Sequence, residues 1–152
     1  MHIAHLGARR IASLTAVLAL SGSAAVMAAG SASADASYNV DEWGNAACGY
    51  DLCLWYHDAG QGNGGAGFGT GVGITNLDGY TFFLDGSPNN DGLGQRVRNN
   101  AGEITNGTYS CTDYAYYSNN YAGPSDYVLP GWGGDLTSGL HNNEASVAIY
   151  CD

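Results

Sequence analysis

Residues 114–123 read Tyr-Ala-Tyr-Tyr-Ser-Asn-Asn-Tyr-Ala-Gly, and residues 140–151 read Leu-His-Asn-Asn-Glu-Ala-Ser-Val-Ala-Ile-Tyr-Cys. Alternating side chains before Ser-Asn-Asn are typical of a strand that ends in a turn. Tyr121 follows Tyr116 after five residues, and Gly123 follows it after seven. This spacing predicts a hairpin folded back over its own sheet, with stacked rings and a glycine at positive φ. Residues 145–151 are then predicted to form the closing strand.

An internal repeat extends this organisation to the rest of the chain. Three positions match in spacing: Trp55, Gly60 and Gly62 in the first copy, and Tyr116, Tyr121 and Gly123 in the second. Residues 97–101, Val-Arg-Asn-Asn-Ala, similarly match residues 140–144, Leu-His-Asn-Asn-Glu. The first copy is longer, and its additional residues are most simply the Gly-rich stretch after Gly62.

The remaining segments are short and contain no useful helical periodicity. Strands are predicted at residues 52–56, 80–84 and 95–98, with Val97 facing inward. The Gly-rich residues 61–73 predict a mobile loop or a set of tight turns, and Asn106-Gly107-Thr108, a glycosylation sequon by pattern, is interpreted as a turn. The sequence therefore predicts an all-β domain in which two hairpin-rich units pack as a sandwich.

The first 34 residues are predicted to be a secretory signal peptide. Arg9 and Arg10 precede an apolar run at residues 11–20, and Ala-Ser-Ala at residues 32–34 matches the pattern that signal peptidases cut after. We therefore expect an extracellular protein with a flexible N-terminal arm at residues 35–47 and one domain at residues 48–152. No later stretch approaches the ~20 apolar residues that a membrane span requires.

The predicted mature part is strongly acidic. All 14 Asp and Glu residues lie after position 34, but only Arg96 and Arg98 of the four cationic residues do, which gives a formal charge of −12. Such a charge repels nucleic acid and anionic membranes, so neither is expected as a partner. It favours cations or a basic partner, although acidity also serves simply to keep a secreted protein in solution.

Four cysteines in a secreted domain of this size predict two disulfides: Cys48, Cys53, Cys111 and Cys151. Three pairings are possible. If Cys48 pairs with Cys53 in a small loop, Cys111 is left to pair with Cys151. A zinc site is disfavoured because the compartment is oxidising and the chain has no second close pair of cysteines.

The repeat resembles the Greek-key signature of the βγ-crystallin superfamily, in which the aromatic and glycine spacing precedes Asn-Asn-x-Ala-Ser. Residues 48–56, Cys-Gly-Tyr-Asp-Leu-Cys-Leu-Trp-Tyr, are similar to the opening of its secreted bacterial branch, the Streptomyces metalloproteinase-inhibitor family. The resemblance covers roughly residues 48–151. The first copy departs from it at Gly60, where the family prefers an aromatic residue, and at Glu103, where it prefers Ser or Thr.

This resemblance implies two Greek-key motifs and a non-enzymatic inhibitor of secreted, thermolysin-like zinc peptidases. We expect the protein to be a monomer. Such an inhibitor offers a rigid, substrate-like loop that is cleaved slowly because its ends are held. In the family the reactive bond lies in a small disulfide-closed loop after the first Greek key. The corresponding positions, and thus the candidate inhibitory loop, are Cys111, Thr112 and Asp113. No second cysteine follows closely, and Asp113 is unlike the apolar side chain that the peptidase prefers after the cut.

The resemblance also implies calcium as a candidate cofactor. In microbial members, loops from the two motifs supply oxygen ligands to two ions, which suits the preference of calcium for hard ligands. The matching positions here are Asn99, Asn100, Glu103, Asn142, Asn143 and Ser146, while Ile104 and Val147 replace the final serine of each loop. The alternative is that the Asn pairs form tight turns and that Ser146 bonds to the folded hairpin.

Enzymatic chemistry is not expected, because few side chains could carry it. Only His57 and His141 follow the predicted signal peptide, and the sequence has neither a Gly-x-Ser-x-Gly elbow nor a His-Glu-x-x-His motif. Besides inhibition, two other functions are compatible with the resemblance: a calcium-binding structural or envelope protein, and a toxin-like βγ-crystallin that acts on competing microbes.

Overall fold

The computed structural model describes residues 37–44, 48–58, 64–86 and 89–152. The predicted signal peptide and the repeat positions Gly60 and Gly62 lie outside these residues. The described part of the chain contains strands and turns but no helix, and therefore no helix that is long and apolar enough to cross a membrane.

In the residues that the structure describes, nine strands form two sheets. In chain order they are β1 (Ser37–Asn39), β2 (Trp43–Gly44), β3 (Leu52–Trp55), β4 (Gly67–Thr70), β5 (Glu103–Asn106), β6 (Cys111–Ser118), β7 (Ala122–Val128), β8 (Trp132–Asp135) and β9 (Ser146–Cys151). The order in the four-stranded sheet is β1-β7-β6-β9, and the order in the five-stranded sheet is β2-β8-β5-β3-β4.

The core contains apolar side chains from both sheets. Leu54 and Ile104 contribute from the five-stranded sheet, and Ala115 and Val147 from the four-stranded sheet, and all four are fully buried. Side chains alternate along β6, where buried Ala115 is flanked by half-buried tyrosines on the outer face. The prediction of an all-β sandwich is confirmed.

The two units have the same Greek-key topology. The last strand of each lies beside its first, so β5 pairs with β3 and β9 pairs with β6. The intervening segment crosses to the other sheet: β8 pairs with β5, and Ile74 forms a bridge with Val147. Each unit therefore completes the sheet of the other.

The Asn loops show the same repeat in their hydrogen bonds. The Asn99 N–H donates to the Glu144 carbonyl oxygen at 2.9 Å, and the equivalent Asn142 N–H donates to the Ala101 carbonyl oxygen at 2.9 Å. Both Asn99 and Asn142 have a positive φ, at 61° and 59°. Asparagine tolerates this conformation better than most residues, which explains its place in the repeat.

The folded hairpin of the second unit is confirmed. The rings of Tyr116 and Tyr121 lie with centroids 5.8 Å apart, and Gly123 has a φ of 82°. Ser146 Oγ accepts a hydrogen bond from the Tyr121 N–H at 3.1 Å and donates one to the Ser118 carbonyl oxygen at 2.6 Å. Ser146 therefore connects the closing strand to the hairpin.

Both predicted disulfides are present. Cys48 is bonded to Cys53 and Cys111 to Cys151, which leaves no free cysteine. Cys111 and Cys151 are also directly paired in the register of β6 and β9. The second disulfide therefore connects neighbouring strands of one sheet.

Residues 37–44 differ from the flexible arm that the sequence predicts. Strand β1 pairs in parallel with β7, and β2 pairs with β8. Between them Val40 is buried in the core, and its N–H donates to the Tyr127 carbonyl oxygen at 3.0 Å. Burial of Val40, the strand pairing and the packing of the Trp43 ring beside Gly133 together hold this segment against both sheets.

The Gly-rich segment also differs from its prediction, because Gly67–Thr70 is strand β4 and not a loop. Phe68 is buried against the rings of Tyr80 and Phe83. A side chain at Gly67 would collide with the Trp55 ring. The glycine therefore provides space for an aromatic neighbour and does not interrupt the strand.

Two other predicted strands form only isolated bridges. Within residues 80–84 and 95–98, Thr81 bridges to Arg96 and Leu84 to Gly67, without forming regular strands. Val97 is fully buried as predicted. These segments contribute side chains to the core without extending a sheet.

Candidate functional site

The positions predicted for the inhibitory loop lie in a central strand. Cys111, Thr112 and Asp113 begin β6, which pairs with β7 on one side and β9 on the other. Cys111 and Asp113 are buried. Asp113 is paired with both neighbouring strands, and Cys111 and Thr112 are paired with β9. Backbone that is held in a sheet cannot enter a peptidase cleft, so the prediction of an exposed loop at these three residues is wrong.

The segment immediately before them is exposed. Strand β5 ends at Asn106 and β6 begins at Cys111, and we name the intervening residues 107–110 the tip loop. Tyr109 in this loop has a relative exposure of 101%, so its ring contacts almost nothing in the protein. A side chain at Gly107 would collide with the Tyr50 carbonyl oxygen, which explains why the loop begins with glycine.

The base of the tip loop is held by the buried side chain of Asn106. Its Nδ2 donates to the carbonyl oxygens of Cys111 at 2.8 Å and Val128 at 3.1 Å. Its Oδ1 accepts hydrogen bonds from the N–H of Thr108 at 2.8 Å and from the Oγ1 of Thr108 at 2.6 Å. One asparagine therefore contacts both arms of the loop.

Thr108 adds a second connection between the arms. Its Oγ1 accepts a hydrogen bond from the Cys111 N–H at 3.1 Å and lies 3.0 Å from the Cys111 carbonyl oxygen. The hydroxyl proton can bond to either that carbonyl or Asn106 Oδ1. Because these groups are buried, they bond to one another and not to water. The tip loop thus combines an exposed aromatic ring with a rigid base.

A different part of the molecule contains two clefts related by the repeat. The first cleft, of about 420 Å³, is lined by Tyr56, His57, Asp58, Asn100, His141 and Asn142. The second cleft, of about 460 Å³, is lined by Arg98, Asn99, Tyr117, Ser118, Asn119 and Asn143. Residues 56–58 of the first cleft correspond in the repeat to residues 117–119 of the second.

The predicted calcium ligands are divided between these clefts. Asn100 and Asn142 line the first, and Asn99 and Asn143 line the second. Each cleft therefore takes one asparagine from each loop, a combination that the linear motif does not reveal. Ser146 does not line either cleft and bonds to the folded hairpin instead.

Glu103, the remaining predicted ligand, is buried in the five-stranded sheet. Burial, together with smaller contributions from the neighbouring carboxylates of Asp135, Asp58 and Glu42, raises its pKa from an ordinary value of 4.5 to about 8. Its carboxyl group lies beside Gly64 of the first hairpin. In the repeat, Glu103 corresponds to Ser146. The first unit therefore has a carboxyl group where the second unit has a hydroxyl group.

The two clefts differ in charge. In the first cleft, Asp58 Oδ2 is 3.9 Å from His141 Nε2, while Asp58 Oδ1 is buried and has no hydrogen-bond partner among the residues that the structure describes. The equivalent oxygen in the second cleft, Asn119 Oδ1, is likewise buried without a hydrogen-bond partner in the described part of the chain. Arg98 also lines this second cleft, and its Nη1 donates to Asn76 Oδ1 at 3.1 Å. Among the residues that the structure describes, no three His, Cys, Asp or Glu side chains form a metal-binding group.

Glu144 connects the two Asn loops from within the core. Its Oε1 accepts hydrogen bonds from the N–H groups of Asn100 and Ala101, each at 3.0 Å. Burial raises the pKa of Glu144 from 4.5 to about 7, although these N–H groups lower it. Glu144 thus positions the first loop without lining either cleft.

Sequence analysis did not identify Tyr109 or Asp58 as site residues. The sequence signal for Tyr109 was the preceding Asn106-Gly107 pair, which predicts a turn. This pair does not indicate how far the Tyr109 ring extends into solvent. Asp58 can be identified as a site residue only from the repeat, in which it corresponds to Asn119. Comparisons of this chain with protein-family models, with curated proteins and with solved structures found no match.

Proposed function

We propose that this protein is a secreted inhibitor of thermolysin-like metallopeptidases and that the tip loop is its inhibitory loop. The observation that carries the proposal is the fully exposed ring of Tyr109 above a hydrogen-bonded base. Exposed aromatic rings on rigid supports are typical anchors of protein interfaces, because little conformational entropy is lost when they enter a pocket.

The position of the loop supports the same proposal. It connects β5, the last strand of the first Greek key, to β6, the first strand of the second. The family that the sequence resembles has its reactive bond in this connection. A peptidase that prefers an apolar side chain after the cut would cleave the bond between Thr108 and Tyr109, with the Tyr109 ring in its specificity pocket.

The test is a titration of a thermolysin-like peptidase with the mature, oxidised protein, followed by mass mapping of any cut. We expect stoichiometric loss of peptidase activity and a slow single cut between Thr108 and Tyr109. Tyr109→Ala should weaken inhibition by about 100-fold, because an interface anchor contributes about 3 kcal/mol.

The matched control is Tyr38→Ala, which removes a tyrosine that is 51% exposed on β1. This variant should inhibit like the unmodified protein, and both variants should retain its melting temperature. Full peptidase activity at a molar excess of the unmodified protein would refute the proposal. Equal inhibition by Tyr109→Ala would place the inhibitory contact elsewhere.

Calcium binding in the first cleft is a second candidate function. It is supported by Asp58, which lines this cleft with two asparagines and whose Oδ1 has no hydrogen-bond partner within the described ranges. Carboxylate and amide oxygens suit calcium. Arg98 lines the second cleft, and its positive charge disfavours a cation there, so we expect one ion for each protein molecule.

A calcium titration of thermal stability tests this candidate. Calcium at about 100 times its dissociation constant should stabilise the fold by about 3 kcal/mol. Asp58→Asn should remove the effect, whereas Asp85→Asn, at an exposed position, should preserve it. A melting temperature that is independent of calcium, or a stoichiometry of two, would contradict the prediction.

A further inference from the structure

We infer that Asn106 and Thr108 form a hydrogen-bonded clamp that holds the two sides of a cut tip loop together, as a disulfide does in a disulfide-closed inhibitory loop. This inference rests on the proposed function. It assigns the two side chains a positioning role: they hold the loop, while the peptidase acts on the backbone between Thr108 and Tyr109.

Neither disulfide spans the bond between Thr108 and Tyr109. Cys48–Cys53 lies entirely before this bond, and Cys111–Cys151 lies entirely after it. All four cysteines are used in these two bridges. A single cut would therefore produce two fragments without a covalent link, and only noncovalent contacts could keep the new ends in place.

The hydrogen bonds of the clamp cross the cut. The Asn106 Nδ2 and the Thr108 Oγ1 lie on the N-terminal side, and both bond to Cys111 on the C-terminal side, at distances of 2.8 to 3.1 Å. None of these bonds uses the Thr108 carbonyl group or the Tyr109 N–H. All of them can persist when the peptide bond between these two groups is broken.

The chemistry of the cut makes this arrangement useful to an inhibitor. Hydrolysis adds one water molecule across the bond, leaving a carboxylate on Thr108 and an ammonium group on Tyr109, and the reverse reaction releases that water. Ends that stay close have a high effective concentration, which favours resealing and prevents the products from leaving the enzyme. The clamp therefore converts a substrate-like loop into a persistent inhibitor.

Burial makes the clamp strong enough for this role. Asn106 is completely buried, and Thr108 and Cys111 are each 8% exposed. Water has little access to these groups, so it does not compete for their hydrogen bonds. The Asn106 Nδ2 also donates to the Val128 carbonyl oxygen, which anchors the clamp to β7 of the sandwich.

The experiment compares Thr108→Val with Thr108→Ser and with the matched control Thr112→Val, whose side chain lies in the neighbouring strand. Each mature, oxidised protein is incubated with a thermolysin-like peptidase. The readouts are the cleavage rate of the 108–109 bond, the duration of inhibition, and the elution volume of the cut protein without denaturant.

We expect Thr108→Val to be cleaved at least tenfold faster than the unmodified protein, and its inhibition to decay as cleavage proceeds. Thr108→Ser retains the hydroxyl group and should behave like the unmodified protein, as should Thr112→Val. The cut unmodified protein should elute as one particle and separate in denaturant without reductant. Melting curves identify a variant that has not folded, in which case Thr108→Ala replaces Thr108→Val.

Two results would overturn the inference. One is a folded Thr108→Val or Thr108→Ala variant that is cleaved as slowly as the unmodified protein. The other is separation of the cut unmodified protein without denaturant. Failure of the proposed function is distinct from both, because the unmodified protein would then leave the peptidase fully active, whatever the behaviour of its variants.

Discussion

Replacing Asp113 by Asn is expected to raise the free energy of unfolding by about 5 kcal/mol at pH 8 and to leave it nearly unchanged at pH 4. Asp113 lies in β6, which is paired on both sides, and it is completely buried. Neither carboxyl oxygen has a hydrogen-bond partner in the described part of the chain. Burial, with a smaller contribution from Asp51, raises its pKa from an ordinary value of 3.8 to about 8.

The direction of the effect follows from proton binding. Between pH 4 and pH 8 the folded protein retains a proton on Asp113 that the unfolded chain has released, so unfolding becomes more favourable as the pH rises. Below pH 4 Asp113 is protonated in both the folded and the unfolded protein, so it no longer lowers the free energy of unfolding. Asparagine is neutral and similar in shape to the protonated acid. The substitution therefore raises the free energy of unfolding at high pH and has little effect at low pH.

Denaturant unfolding at pH 4, 6 and 8 would measure this effect. The control is Asp85→Asn, which removes an exposed carboxylate. Asp113→Asn should flatten the pH dependence only in part, because the pKa values of Glu103 and Glu144 are raised in the same direction, to about 8 and about 7. Equal pH dependence in the unmodified protein and Asp113→Asn would contradict the prediction.

Loss of the Cys111–Cys151 disulfide should have the second large effect. These cysteines are 40 residues apart, whereas Cys48 and Cys53 are five apart. Restriction of the unfolded chain predicts a loss of about 4 kcal/mol for Cys111→Ala with Cys151→Ala, but about 2 kcal/mol for Cys48→Ala with Cys53→Ala.

Urea unfolding of the two double variants at pH 5 tests this difference, since the buried acids cost less there than at neutral pH. The shorter bridge is the matched control, because it removes the same atoms from a smaller loop. An equal or greater loss for Cys48 and Cys53 would mean that strain or packing in the folded state outweighs the restriction of the unfolded chain.

The sandwich could be predicted from local patterns. The spacing of Tyr116, Tyr121 and Gly123 indicates a folded hairpin because only certain residues stack there or tolerate a positive φ. The Asn loops repeat because Asn99 and Asn142 occupy equivalent left-handed positions. Prediction was less successful for Gly67–Thr70, because glycine indicates a turn in sequence but here provides space for an aromatic ring of another strand.

The sequence by itself determined the all-β class, the two-unit repeat, the folded hairpin of the second unit and the presence of two disulfides, because each depends on spacing or on residue chemistry within short segments. Only the tertiary structure decided which cysteines pair, that Asp113 is enclosed within the sandwich, that Tyr109 and not Thr112 is exposed, and that each cleft combines asparagines from two loops. These features depend on which distant segments meet. Contacts between the two units decide which distant segments meet, and no short sequence pattern predicts those contacts.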